Sequence, residues 1–334
     1  MVNRFMRAVA TAPANIALIK YWGKKDARLR LPANNSISIN LSDITTTTAV
    51  EFLNELSDDM ISIDNETVTG DEKTRISAHL DRIRRMAGIH LRAKVESKNN
   101  FPKGTGLASS ASGFAALSLA ASTSAGLTLS EKELSILARL GSGSACRSIP
   151  SGIVEWKAGT SDNSSYAYSL FPANYWNIRD VIAIVGDELK KVSSTEGHAA
   201  VKSSPLYKVR IREMPQKLRQ IKAAIRNRDF SEFGEICEAE ALNMHAVMMT
   251  SKPALIYWMP TTLRVMHQII DWRSSGLESY FTIDAGPNVH ALCVADDALK
   301  LAGRLSLIEG VRKVIVNLPT DGATLVEGTD LMDY

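Results

Sequence analysis

Cysteine is scarce in this chain: three in 334 residues, Cys146, Cys237 and Cys293. Three cannot all pair with one another, and none stands in a C-x-x-C knuckle, so neither a disulfide framework nor a zinc ribbon is indicated. A reducing, cytoplasmic setting is the expectation. Charge of one sign is scarce too, with a net charge of only +3. Nucleic-acid binding needs a concentrated basic stripe, which is missing. A local basic pocket for a small anion remains compatible with that balance. No run approaches the roughly 20 apolar residues of a membrane span. The opening MVNRFMRAVATAPANIALIKYWGKK is broken by Pro13, Asn15 and Lys20. It reads as mature structure rather than a signal peptide. No repeat or low-complexity tract stands out. The histidines His79, His90, His245, His267 and His290 lack metal-ligand spacing, and no metal site is expected from them.

What is present points to a folded enzyme-sized chain. Hydrophobic residues make up 45% and charged residues 22%, enough for a large core. The length suggests about two domains. Residues 5–22 and 35–53 alternate at period two and read as strands. Residues 54–70 read as a turn and a hairpin around Asp-Asn-Glu. A helix is expected over 71–87 and a strand over 90–97. A small-residue helix should cover 111–125. Ser130 to Glu133 is a capping box, so a helix should run from there to about Leu140. GIVEWKAG and VIAIVGD are strand-like, the second apolar enough to be central. Two long amphipathic helices over 212–228 and 230–249 follow, then a helix over 260–275. A strand–turn–strand in ESYFTIDAGPNVHALCVAD, a helix over 295–306 and a strand in VRKVIVNL complete the expected order. The fold class is α+β in two domains, 1–190 and 191–334, with a soft boundary.

The stretch NFPKGTGLASSASGFAALSLAAS, Asn100 to Ser122, is the strongest local signal. Pro102, Gly104 and Gly106 shape a turn, and small residues then open a helix. Such a helix start offers unpaired amides to a phosphate. Ser109 and Ser110 add hydroxyls, and Lys103 adds a cation. A Ser-capped helix start with no ligand would look the same locally. Further along, Lys20, Tyr21 and Lys24 crowd a glycine at 23. On a strand, Lys20 and Trp22 would share one face and Tyr21 the other. GSGSACRS, from Gly141, offers backbone amides, Ser142 and Ser144, and Arg147 for a carboxylate. Ser144 and Arg147 would meet across the first turn of a helix. Asp284 stands between a strand and a glycine turn, where it is either a turn former or a cleft-facing acid.

The loop Pro102–Ala111 resembles the phosphate loop of the GHMP kinase superfamily. NIALIKYWGKKD, NNSISINLS, GSGSACRS and FTIDAGPN, in that order, resemble the signatures of diphosphomevalonate decarboxylases within it. The resemblance covers nearly the whole chain. It implies an N-terminal domain like domain 2 of ribosomal protein S5 and a ferredoxin-like C-terminal domain. It also implies ATP-dependent decarboxylation of mevalonate 5-diphosphate to isopentenyl diphosphate, with Mg²⁺ on the nucleotide and a homodimeric enzyme. By the same resemblance Asp284, Arg147 and Lys20 are catalytic. Asn15, Tyr21, Lys24, Ser142, Ser144, Arg147, Thr195 and His198 bind substrate. Lys103, Gly104, Gly106, Leu107, Ala108, Ser109 and Ser110 cradle ATP. The partner is a small phosphorylated mevalonate, with no nucleic acid and no membrane.

Three places depart from the family habit. Lys103-Gly104-Thr105 replaces Thr-Ala-Ala. Ile149-Pro150-Ser151-Gly152 replaces a bulky residue with Tyr-Gly-Gly. His198 stands where Met is usual. These departures keep other readings open: an ATP-independent mevalonate 3,5-bisphosphate decarboxylase, a mevalonate 5-phosphate decarboxylase, a GHMP small-molecule kinase or a metabolite sensor. An intact Asp284 and Arg147 favour decarboxylation.

Overall fold

The computed structural model describes residues 7–101, 109–186 and 194–327, without the side chains of Ser194 and Thr195. In chain order the first half contains β1 (Ala8–Ile19), β2 (Lys24–Asp26), β3 (Leu31–Pro32), β4 (Ser36–Leu53), β5 (Met60–Ile63) and β6 (Glu66–Thr67). It continues with α1 (Gly70–Ala87), β7 (Arg92–Asn99), α2 (Ser109–Ser124), α3 (Glu131–Gly141), β8 (Ile153–Trp156) and β9 (Ala167–Phe171). A 3₁₀ turn, Gly143–Ser148, lies between α3 and β8. The second half contains β10 (Ile178–Ile184), α4 (Ser194–Ala200), α5 (Tyr207–Asn227), α6 (Phe230–Met249) and α7 (Pro260–Ser274). It ends with β11 (Tyr280–Thr282), β12 (Val289–Val294), α8 (Ala298–Ser306), β13 (Lys313–Asn317) and β14 (Thr324–Leu325).

The elements form two main sheets. The first runs β14-β1-β4-β7-β5-β6, with β8 on β4 and β9 on β8; the second runs β11-β12-β10-β13. β4 is long enough to pair β8 through Ser36–Ile39 and β7 through Thr46–Leu53 on one edge. β10, which precedes the expected division near residue 190, pairs within the second sheet. β14 then carries the chain back to β1. An apolar strand such as VIAIVGD announces burial on both faces but not which sheet it joins. β2, β3, β9, α4 and β14 were not anticipated; the last is two residues long and pairs with β1.

The core has three main parts. One lies between the first sheet and α1, α2 and α3. A second lies between the second sheet and α7 and α8. The third joins the two halves, packing Ile16 and Leu18 of β1 with Ile182 of β10 and Phe233 of α6. α2 fits against β1 and β4 because most of its residues are Ala, Ser or Gly and most are buried. α3 starts on its capping box, with Glu133 N–H donating to Ser130 Oγ at 3.3 Å and Ser130 N–H to Glu133 Oε2 at 2.8 Å. The hairpin turn between β5 and β6 uses Asp64 and Asn65 at positive φ, as a type I′ turn requires.

One irregularity aims the site. The β1–β4 register shifts between Pro13 and Asn15. Before it, Ala10 and Ala12 face the helix-side core; after it, Ala14, Ile16 and Leu18 face the core between the halves. A bulge turns the strand over in this way. Asn15 therefore points to the Gly143–Ser148 turn, and the end of β1 delivers Lys20 toward α6.

Candidate active site

Asn15 and Arg147 form the base of the site. Asn15 Nδ2 donates to Ser148 Oγ at 2.8 Å and to the Ser144 carbonyl at 3.2 Å. Arg147 Nε donates to Asn15 Oδ1 at 3.0 Å, and its Nη1 to Ser36 Oγ at 2.7 Å. The guanidinium is buried, 6.0 Å from the Trp156 ring centre. Its pKa is pushed down by burial and supported by Asp284 and other neighbours. Nε and Nη1 are thus fixed by the protein, which leaves one edge of the fork for a carboxylate. Among the described residues no hydrogen bond joins Ser144 to Arg147. The segment is a 3₁₀ turn, whose repeat sets these positions over one another, but the guanidinium is turned to Asn15 and Ser36.

Lys20 and Asp284 meet across the two halves. Lys20 Nζ lies 2.6 Å from Asp284 Oδ1, with the lysine buried and the carboxylate about one-third exposed (35%). Burial pushes the Asp284 carboxyl up, but Lys20, His290 and Arg147 outweigh it and hold it below its ordinary range. The group is ionised at neutral pH. His245 of α6 lies 3.2 Å from the Asp284 carbonyl through Nε2, and burial first, then Lys20, brings its pKa down to about 4.

The stretch after Ile19 is not a strand. Lys20 and Trp22 nevertheless face the second half, while Tyr21 packs edge-on against Trp156 with ring centres 4.6 Å apart. The Tyr21 hydroxyl is buried without a hydrogen-bond partner among the described residues, and burial raises its pKa. It stands over Gly143, where a Cβ would be 2.9 Å from the hydroxyl oxygen. Gly23 follows at φ +104°, a conformation that lets the chain turn into β2. Lys24 is partly buried, and burial, then Arg30 and Arg75, lower its ammonium to about 8.

Arg30 and Arg75 escaped the sequence reading. Arg30 Nε donates to the Leu140 carbonyl and Arg75 Nη2 to the Gly141 carbonyl, each at 3.1 Å. Both guanidinium groups thus sit at the C-terminal end of α3, directly before Ser142. No local motif marks Arg75 as anything but a solvated helix residue.

Ser142 is buried, and its hydroxyl lies 3.2 Å from Ser110 Oγ at the start of α2. The start of α2 and the Ser142 turn are therefore adjacent. Ser109 and Ser110 are exposed. Lys103, Gly104, Gly106, Leu107 and Ala108 lie outside the described residues, as does the Thr195 side chain. His198 is packed between Tyr21 and Trp22, with ring centres at 4.2 and 4.5 Å. Its Nδ1 accepts the Gly23 N–H at 2.8 Å. Burial, then Lys24, Arg30, Arg147 and Arg210, keep it neutral, so it buttresses the turn as an uncharged ring. Among the described residues no group of three or more His, Cys, Asp or Glu could hold a metal ion.

A two-domain α+β chain with a small-residue helix opening beside a serine turn has the architecture of the GHMP kinase-like folds. Residues 12–167 match the model of the diphosphomevalonate decarboxylase-like N-terminal domain, and residues 180–317 that of the mevalonate 5-diphosphate decarboxylase C-terminal domain. The diphosphomevalonate decarboxylase of Aspergillus fumigatus is 36% identical over 91% of this chain and 81% of its own. The crystal structure of mevalonate diphosphate decarboxylase from Staphylococcus aureus superposes with a TM-score of 0.92. It is 38% identical, and the match covers 96% of this chain and 98% of that one. That of Enterococcus faecalis, described with a mevalonate diphosphate-mediated mechanism of ATP binding, gives 0.90 at 36% identity, covering 97% and 99%. The chain belongs to the diphosphomevalonate decarboxylase family.

Proposed function

We propose that this protein uses ATP to decarboxylate mevalonate 5-diphosphate to isopentenyl diphosphate. The Lys20–Asp284 pair carries the reading, because it sets an ionised carboxylate beside Arg147 at the junction of the halves. Arg147 takes the substrate carboxylate on its free edge. Asp284 accepts a hydrogen bond from the C3 hydroxyl and orients it for attack. Lys20 keeps Asp284 charged as it does so. ATP, carried with Mg²⁺, supplies the phosphoryl group that turns the hydroxyl oxygen into a leaving group. As phosphate departs and positive charge grows at C3, Asp284 faces that charge. The carboxylate then leaves as carbon dioxide and the alkene forms.

Tyr21, Lys24, Ser142 and Ser144 hold the diphosphate, and Arg30 and Arg75 add cations on the same side. Asn15 aims Arg147. Ser109 and Ser110, at the N-terminus of α2, face the nucleotide with Lys103, Gly104, Gly106, Leu107 and Ala108. Thr195 and His198 border the substrate. The reading includes a homodimer, which rests on the resemblance, two domains, which rest on chain length and the resemblance, and a cytoplasmic setting, which rests on the three cysteines. No helix of the described residues is long and apolar enough to cross a membrane.

The test is an assay of carbon dioxide and ADP from mevalonate 5-diphosphate, 5-phosphate or 3,5-bisphosphate, each with and without Mg·ATP. Stoichiometric ADP and carbon dioxide from the diphosphate are expected. Carbon dioxide from the bisphosphate without ATP would overturn the reading, and ADP alone would make the protein a kinase. Asp284→Asn should lower kcat by about 10²- to 10⁴-fold with KM little changed. Unchanged turnover would remove Asp284 from the chemistry.

A further inference from the structure

The Lys20 peptide has left the β1–β4 ladder, so its N–H and C=O need other partners. Side chains from two later helices and from Asn34 supply them. The N–H donates to Glu240 Oε1 of α6 at 3.3 Å. The C=O accepts from Arg210 Nη2 of α5 at 3.3 Å and from Asn34 Nδ2 at 3.0 Å. Arg210 and Glu240 also pair directly with each other, both with 0% of the side chain exposed. Lys217 Nζ reaches the other Glu240 oxygen at 3.1 Å.

A fully buried ion pair is a poor source of stability, because desolvation offsets most of its attraction. This one also leaves Arg210 Nε buried without a partner among the described residues. Its geometry is organised around one main-chain unit, and that unit carries the side chain bonded to Asp284. We propose that Arg210 and Glu240 are positioning residues: together they hold the Lys20 main chain so that its ammonium meets Asp284. The lever is short. A displacement of about 1 Å at a reacting group is enough to cost a large part of the rate, and the Lys20–Asp284 contact has little slack at 2.6 Å. α6 contributes Glu240 to Lys20 and His245 to the Asp284 carbonyl, so one helix references both halves of the pair. The other groups facing the carboxylate are His290 of β12 and Arg147 of the 3₁₀ turn.

The inference rests on the proposed decarboxylation for its kinetic consequence, but not for its structural one. Two variants test it. Arg210→Lys keeps the charge and loses the fork; Glu240→Gln keeps the shape and loses the charge. In each, the Asp284 carboxyl is titrated by ¹³C NMR, with Asp284→Asn assigning the signal, beside kcat, KM and Tm. The expected result is a carboxyl titration raised by about one pH unit, the size of a lost charged neighbour. With it, kcat falls about tenfold or more while KM for ATP stays within about twofold. A lowered Tm with Asp284 titrating as in the parent would overturn the proposal, and so would parental kcat in both variants. If Glu240→Gln does not fold, Arg210→Lys decides. Should the parent release no carbon dioxide from mevalonate 5-diphosphate, the decarboxylase reading fails, and the NMR titration still decides the positioning role.

Discussion

Lys24 shows how one residue's surroundings set a pH limit. Burial first, then Arg30 and Arg75, bring its ammonium down to about 8. The cation is present below that value and lost as pH rises through it. The free enzyme's kcat/KM for the diphosphate substrate should therefore fall above about pH 8, because kcat/KM reports groups of the free enzyme. A pH–rate profile checks this, and Lys24→Arg should move the basic limb upward. A profile flat to about pH 10, where an ordinary lysine titrates, would remove Lys24 from substrate binding. At the same scale, His198 illustrates what residue identity cannot say. In the sequence it is a departure that could add a phosphate contact. In the structure its Nδ1 is spent on the Gly23 N–H and its ring is stacked between two aromatics.

Among the elements, the 3₁₀ turn Gly143–Ser148 is the most constrained. Gly143 is not a glycine of positive φ, so its requirement is space. A Cβ there would stand 2.8 Å from Tyr21 Cε1. Tyr21 cannot swing aside easily, since Trp156 and His198 flank its ring. Gly143→Ala should cost about 1–3 kcal/mol of stability, as overpacking does. By displacing the Tyr21 hydroxyl it should raise KM for the diphosphate by about tenfold, equivalent to one lost hydrogen bond to a charged group. Urea unfolding and steady-state kinetics measure the two; a parental KM would take the Tyr21 hydroxyl out of the site. The elements themselves were largely readable. The Ser130 box, the small-residue helix and the two long helices follow from local patterns. α5 begins at Tyr207, upstream of the expected 212, and Pro215 sits inside it, in the third turn, where it lacks the N–H of an ordinary helix residue.

For the whole molecule, three buried neutral histidines couple folding to pH. Burial holds His79 at about 3 and His245 at about 4, and His198 well below its ordinary value. The unfolded chain takes up these protons near pH 6.5. Their contribution to stability is complete above that pH and falls as pH drops toward the folded values. At pH 5 His79 and His245 should each cost about 2 kcal/mol relative to pH 7, and His198 acts in the same direction. Urea midpoints at the two pH values measure the loss; equal midpoints would contradict it.

The sequence by itself determined most of the order of helices and strands, the α+β class and the short motifs around Lys20, Ser142, Arg147 and Asp284. Those depend on periodicity, capping and turn chemistry within a few residues. Only the tertiary structure decided which sheet β10 joins, where β14 returns, and which cations gather before Ser142. Only it placed Lys20 on Asp284, 264 positions away, with Arg210 and Glu240 behind it. The reason is physical. A buried charge is set by what surrounds it, and nothing near Lys20 in the chain announces a carboxylate or a guanidinium contributed by another half of the fold.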